Sequence, residues 1–161
     1  MTDLLPLLQE FYRDELASLL RHQVAAQNVE QYDANNTYQY IINRQETHLS
    51  WIAKAILELG GTVPDNVDVN RRVSKRGGDA ARALFDEDAR DAQALVDKWK
   101  PRIPAMTNAR HARMLRLILG EVLEQKRFFE QALAGRTDLL GRRADVLGPA
   151  AGEVLPTRWI E

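Results

Sequence analysis

The amino-acid sequence predicts an all-α protein. It reads as a four-helix bundle of two antiparallel helical hairpins joined by a longer crossover linker, with a short C-terminal helix and an extended tail. Three observations predict this. Apolar residues recur every three or four positions over four long segments, the period of helices that bury one face. The breaks within each pair of segments are short, whereas residues 60–78 form a long one, enough to cross a bundle. No stretch has the alternation or β-branched richness of a substantial strand.

The first segment steps through Leu4, Leu8, Phe11, Glu15, Leu19, His22, Ala26 and Val29. Thr2 or Asp3 suits its N-cap, and Pro6 is tolerated in a first turn. Residues Asp33 to Thr37 predict a tight turn with a new cap. The second segment carries Tyr38, Ile41, Gln45, His48, Ile52, Ala55 and Leu59, and Gly60-Gly61 with Pro64 beyond ends it. Asp79 suits the cap of the third, whose apolar face is Leu84, Phe85, Ala89, Ala92, Leu95, Val96 and Trp99, stopped by Pro101 and Pro104. The fourth runs from about Asn108 to Leu133, with Gly135 at its C-cap. Thr137 to Leu147 predicts the short C-terminal helix, and Gly148, Pro149, Gly152 and Pro156 forbid regular structure in the tail. Trp159 and Ile160 are apolar and expected to pack on the bundle or on a second subunit. The expected organisation is one domain over 1–161, with the bundle at about 3–134 and an extension at 136–161.

The composition narrows the function classes. A chain of 161 residues with 45% apolar and 28% charged residues has the make-up of a globular domain. A net charge of −1 gives no overall field for nucleic acid or an anionic membrane. Without cysteine there is no disulfide, thiolate metal site or cysteine nucleophile. No apolar run reaches the roughly 20 residues that span a bilayer. The charged residues Asp3, Glu10, Arg13, Asp14 and Glu15 argue against a secretory signal, so a cytoplasmic location is expected.

Polar residues interrupt the apolar seams. Gln45 and His48 are three residues apart and share one face of the second helix. Unpaired burial of such groups costs roughly 1–3 kcal/mol, so each needs a partner. If the first turn centres near Tyr32, antiparallel packing brings Glu15 level with His48. On the second hairpin, Asp88 and Asp91 edge the apolar face of the third helix, and Glu121 and Glu124 interrupt the fourth. Four helices thus offer polar groups to one central layer. Two readings stand: a carboxylate–histidine centre for iron or manganese, or a hydrogen-bonded and ion-paired layer.

The chain resembles the ferritin-like superfamily in the broad rubrerythrin-type sense, over about residues 4–134. The most specific part is His48 followed by Leu59-Gly60-Gly61-Thr62-Val63-Pro64. The resemblance implies two metal ions between the helices, held by a glutamate from the first and third helices and a Glu-x-x-His pair from the second and fourth. Carried over, it makes Glu15, His48, Asp91 and Glu124 the candidate metal ligands. It also exposes departures. Gln45 stands where the first pair has glutamate, and Arg127 where the second has histidine. Gln45 is a poor bridging ligand, and Arg127 stays protonated and cannot ligate. The expectation is therefore that Arg127 stands in for metal charge and neutralises Glu15, Glu124 or Asp91.

The resulting reading is a bundle whose di-metal centre is lost or reduced, without cofactor and with a structural or interaction role, and a homodimer is expected. The alternative is an iron- or manganese-dependent oxidoreductase with an unusual mono- or dinuclear site. Neither nucleic acid nor membrane is an expected partner. Of the remaining residues, His22 reads as a hydrogen-bonded core histidine or an auxiliary ligand, and His111 as a surface residue. The cluster Arg71, Arg72, Lys75 and Arg76 reads as a solvated loop. Ser18, Ser50 and Ser74 sit in no nucleophile motif.

Overall fold

A computed structural model describes residues 3–73, 77–136 and 138–140. The helices are α1 (Leu4–Asn28), α2 (Tyr32–Glu58), α3 (Gly78–Trp99) and α4 (Ala109–Leu133), and a short 3-10 segment, Lys100–Ala105, turns the chain between α3 and α4. The last carries both expected stops, Pro101 and Pro104.

Two helix ends are built by the glycines expected there. After α2, Gly60 takes φ +75°, its N–H donates to the Leu57 carbonyl, and the Gly61 N–H donates to the Ile56 carbonyl. This double bond pattern closes the orphan carbonyls of the last turn. Gly135 repeats it after α4, where Gly135 and Arg136 donate to Ala132 and Gln131. At the expected start of α4 the Asn108 side chain accepts from the His111 N–H and so acts as its N-cap.

Two expected starts are corrected. Residues Asp33 to Thr37 are not a turn, because α2 already begins at Tyr32. Their polar side chains are satisfied within the helical backbone: Thr37 Oγ1 donates back to the Asp33 carbonyl, and Asn35 Nδ2 donates to the Ala26 carbonyl at the end of α1. Asp79 lies inside the first turn of α3, which starts behind Gly77. There its charge still favours the N-terminal dipole.

Ion pairs fix the topology. Between α1 and the α3 side, Glu10 meets Arg102, Asp14 meets Lys98, and Arg21 meets Glu87 and Asp91. Between α2 and α4, Arg44 meets Glu121 and Glu58 meets Arg110. In both ladders one number rises as the other falls, so each pair of helices is antiparallel. It follows that α2 and α3 run the same way, so the connection between them is a crossover rather than a hairpin turn.

The core has two apolar halves. Leu8, Phe11, Ile52, Trp99, Leu115 and Ile118 form one. Leu19, Tyr38, Ile41, Leu84, Phe128 and Phe129 belong to the other. Each fully buried large side chain contributes roughly 1.5–3 kcal/mol. Between the halves lie Glu15, Gln45, His48, Glu121 and Gln125, all buried. No helix among the described residues is long and apolar enough to cross a membrane. Of the expected C-terminal helix only Asp138 to Leu140 are described, with Leu139 packed on the second half-core. The rest of that helix, and the tail with Trp159 and Ile160, lie outside the described residues.

Candidate functional site

The polar layer contains two adjoining groups. The first centres on His48, which is fully buried on α2. Its Nδ1 meets Glu15 Oε1 of α1 at 3.3 Å. Its Nε2 lies against Glu121 Oε2 of α4, a charge contact whose alignment falls short of a hydrogen bond. Arg44 then grips the same carboxylate, with Nη2 2.5 Å from Oε1 and Nε 3.2 Å from Oε2. Burial alone would lower the His48 pKa, but Glu121 and Glu15 outweigh it and raise it from 6.5 to about 8. Burial would raise that of Glu121, yet His48 and Arg44 bring it below the usual value. The row alternates acidic and basic side chains, Glu15, His48, Glu121 and Arg44, so their formal charges offset one another.

The second group lies one turn away. Gln45 Nε2 donates to Ser18 Oγ at 3.0 Å, and its Oε1 faces His22 Nδ1 at 2.7 Å. Beyond His22, Asp88 of α3 accepts from the Tyr38 hydroxyl at 2.5 Å. Burial first, and the Asp88 charge second, push the Tyr38 pKa well above its ordinary value, so the phenol keeps its proton. Asp88 also faces Arg71 Nη1 at 2.8 Å, and both side chains are only 1% exposed. Arg71 further donates to the carbonyls of Arg21 and Leu84.

The candidates of the sequence are distributed unevenly. Glu15 and His48 meet, and the register expected from a turn near Tyr32 holds. Gln45 is buried and pairs with His22 and Ser18. Glu124 is half-buried and lines a small gap with Tyr40, Arg44 and Glu121, one turn from the His48 contact. Asp91 is 48% exposed and pairs with Arg21. Residue 91 lies level with residue 21, about 9 Å along the axis from Glu15. Where Glu15 sits, the inner face of α3 offers Val96 and Trp99, both apolar and buried.

Arg127 is exposed, which corrects its expected place among the buried carboxylates. It stands six residues after Glu121, a rotation of roughly 240° that turns it from the face holding Glu121. The cations that enter the layer are Arg44 and Arg71. Arg71 departs from the expected solvated basic loop, Arg72 is exposed as expected, and Lys75 and Arg76 lie outside the described residues. His111 is buried rather than on the surface, and burial followed by the Arg110 charge lowers its pKa.

The donor set fits a metal poorly. The two carboxylates address opposite edges of the His48 ring, so one ion cannot share an imidazole nitrogen with both. Among the described residues no three His, Asp or Glu side chains converge as metal ligands would. Glu15 Oε2 points the other way, being buried without a hydrogen bond. Comparison with protein-family models, curated proteins and solved structures finds no match to this chain.

Proposed function

We propose that this chain is a ferritin-like bundle in which side-chain cations occupy the electrostatic place of a di-metal centre, leaving a structural or interaction role. The observation that carries the reading is the closed row Glu15–His48–Glu121–Arg44, whose charges balance without an added ion. The single long crossover and the matching direction of α2 and α3 support the ferritin-like comparison. A cytoplasmic location and a homodimer belong to the same proposal. Fold likeness supplies no activity by itself, so the role rests on the site.

The buried, unbonded Glu15 Oε2 favours a second reading, an iron- or manganese-dependent oxidoreductase. In that case Glu15, Glu121 and a deprotonated His48 would hold the ion, after a shift of the ring. Elemental analysis separates the two. Protein purified without chelator and then incubated anaerobically with ferrous iron or manganese(II) is expected to retain well under one ion per chain after desalting. Stoichiometric metal that disappears in Glu15→Gln would overturn the cation-substituted reading and establish the other.

A further inference from the structure

The outward face of α4 takes no part in the polar layer. Arg113, Arg116, Gly120, Leu123 and Arg127 are all exposed on it. At about 100° per residue they fall within roughly 80° of arc, so they form one stripe along the helix. Arg113, Gly120 and Arg127 follow one another at seven-residue steps, as do Arg116 and Leu123. Such a step is about two turns, or about 10 Å, the spacing at which a helix meets a second helix laid along it.

Two properties of the stripe have no cause inside the chain. Glycine is among the poorest helix formers, yet Gly120 stands in the middle of α4. Its φ is not positive, and a Cβ added there would meet no atom within 4 Å. Neither a turn nor internal packing calls for glycine at this position. What it offers is bare backbone that another molecule can approach closely. The second property is charge. Arg113, Arg116 and Arg127 make no ion pair among the described residues. The carboxylates of α4 are engaged elsewhere: Glu121 with His48 and Arg44, Glu130 with Lys126, and Glu124 beside Tyr40 and Arg44. Leu123, 42% exposed, adds an apolar step next to Gly120. The stripe is a neutral, close-approach centre between cationic ends.

That charge pattern selects the occupant. A second copy is repelled: antiparallel pairing about Gly120 sets Arg113 of one copy against Arg127 of the other, and parallel pairing sets each arginine against itself. Duplex DNA carries a negative charge about every 1.7 Å of its axis, whereas the stripe has no cation over the roughly 16 Å from Arg116 to Arg127. An α-helix with acidic ends and an apolar middle matches both the spacing and the charge.

We infer that the outer stripe of α4 docks an acidic α-helix of another protein, with an apolar side chain over Gly120 against Leu123 and carboxylates two turns to either side meeting Arg113 and Arg127. This gives the proposed interaction role a class of partner without resting on the His48 row, and metal bound in that row would leave it standing. An alanine-based helical peptide of about 20 residues tests it, with one central leucine and glutamate at a seven-residue step to either side. Titrated into the full chain and followed by amide NMR, it should give saturable shifts centred on Gly120, with a dissociation constant in the millimolar range. The same peptide with glutamine for glutamate should bind about fivefold more weakly, and Arg113→Gln combined with Arg127→Gln should cause the same loss. Gly120→Leu should abolish binding while raising the melting temperature, because leucine favours helix and its Cβ is unobstructed. Absence of saturable shifts at Gly120, equal binding of the glutamine peptide, or undiminished binding or a lower melting temperature in Gly120→Leu would overturn the assignment. Tighter binding of a short DNA duplex at the same residues would overturn it too, in favour of a nucleic-acid face.

Discussion

A histidine held between two carboxylates has its charge fixed by its neighbours, and that links His48 to stability. Its pKa is raised from 6.5 to about 8, so the folded state binds the proton more tightly than the unfolded chain does. The stabilisation is complete below about pH 6.5 and is lost as pH rises through about 8. A shift of this size corresponds to about 2 kcal/mol. Chemical denaturation across that window should show stability falling, and His48→Gln should remove most of the slope. Glu121, whose pKa is lowered, acts with the opposite sign, and its contribution fades only in acid. At this scale the sequence revealed Glu15 and His48, because both break an apolar seam and the short first turn sets their register. It did not separate Glu121 from Glu124. Three residues differ by roughly 60° around a helix, so both edge the same face, and only the α2–α4 contact decides which one turns inward. The polar role of Arg44 was hidden for the same reason.

At the scale of an element, helix ends were the most readable features. Gly60, Gly61, Gly135 and Asn108 act through local backbone geometry, which needs no tertiary information. The start of α2 was misplaced because Asp, Asn and Thr favour turns and first helical turns alike. What resolves the ambiguity is a contact with the preceding helix, Asn35 to the Ala26 carbonyl. Gly60 offers a direct measurement. At φ +75° an added side chain meets no neighbouring atom, so the cost of Gly60→Ala is backbone strain alone. Equilibrium urea unfolding should show a loss of about 1–2 kcal/mol, with the m-value unchanged.

For the whole molecule, the crossover is the segment whose role is least visible in the chain order. Its basic cluster looks like solvated surface, yet Arg71 enters the interior and ties the linker to Asp88 and to backbone of α1 and α3. Removing one partner of a buried pair leaves the other charge uncompensated. Arg71→Ala should therefore cost about 3–5 kcal/mol. Its exposed neighbour should behave differently, with Arg72→Ala within about 0.5 kcal/mol of wild type in the same denaturation assay. The charge ladder along α1 and α3 has a different consequence. Each hairpin closes on apolar contacts, whereas the pairs Glu10–Arg102, Asp14–Lys98 and Arg21–Asp91 are partly open to solvent. Added electrolyte screens such pairs far more than it affects buried hydrocarbon. Ionic strength thus acts selectively on the joint between the two hairpins, and the α1–α3 seam is the part of the molecule that background salt loosens first.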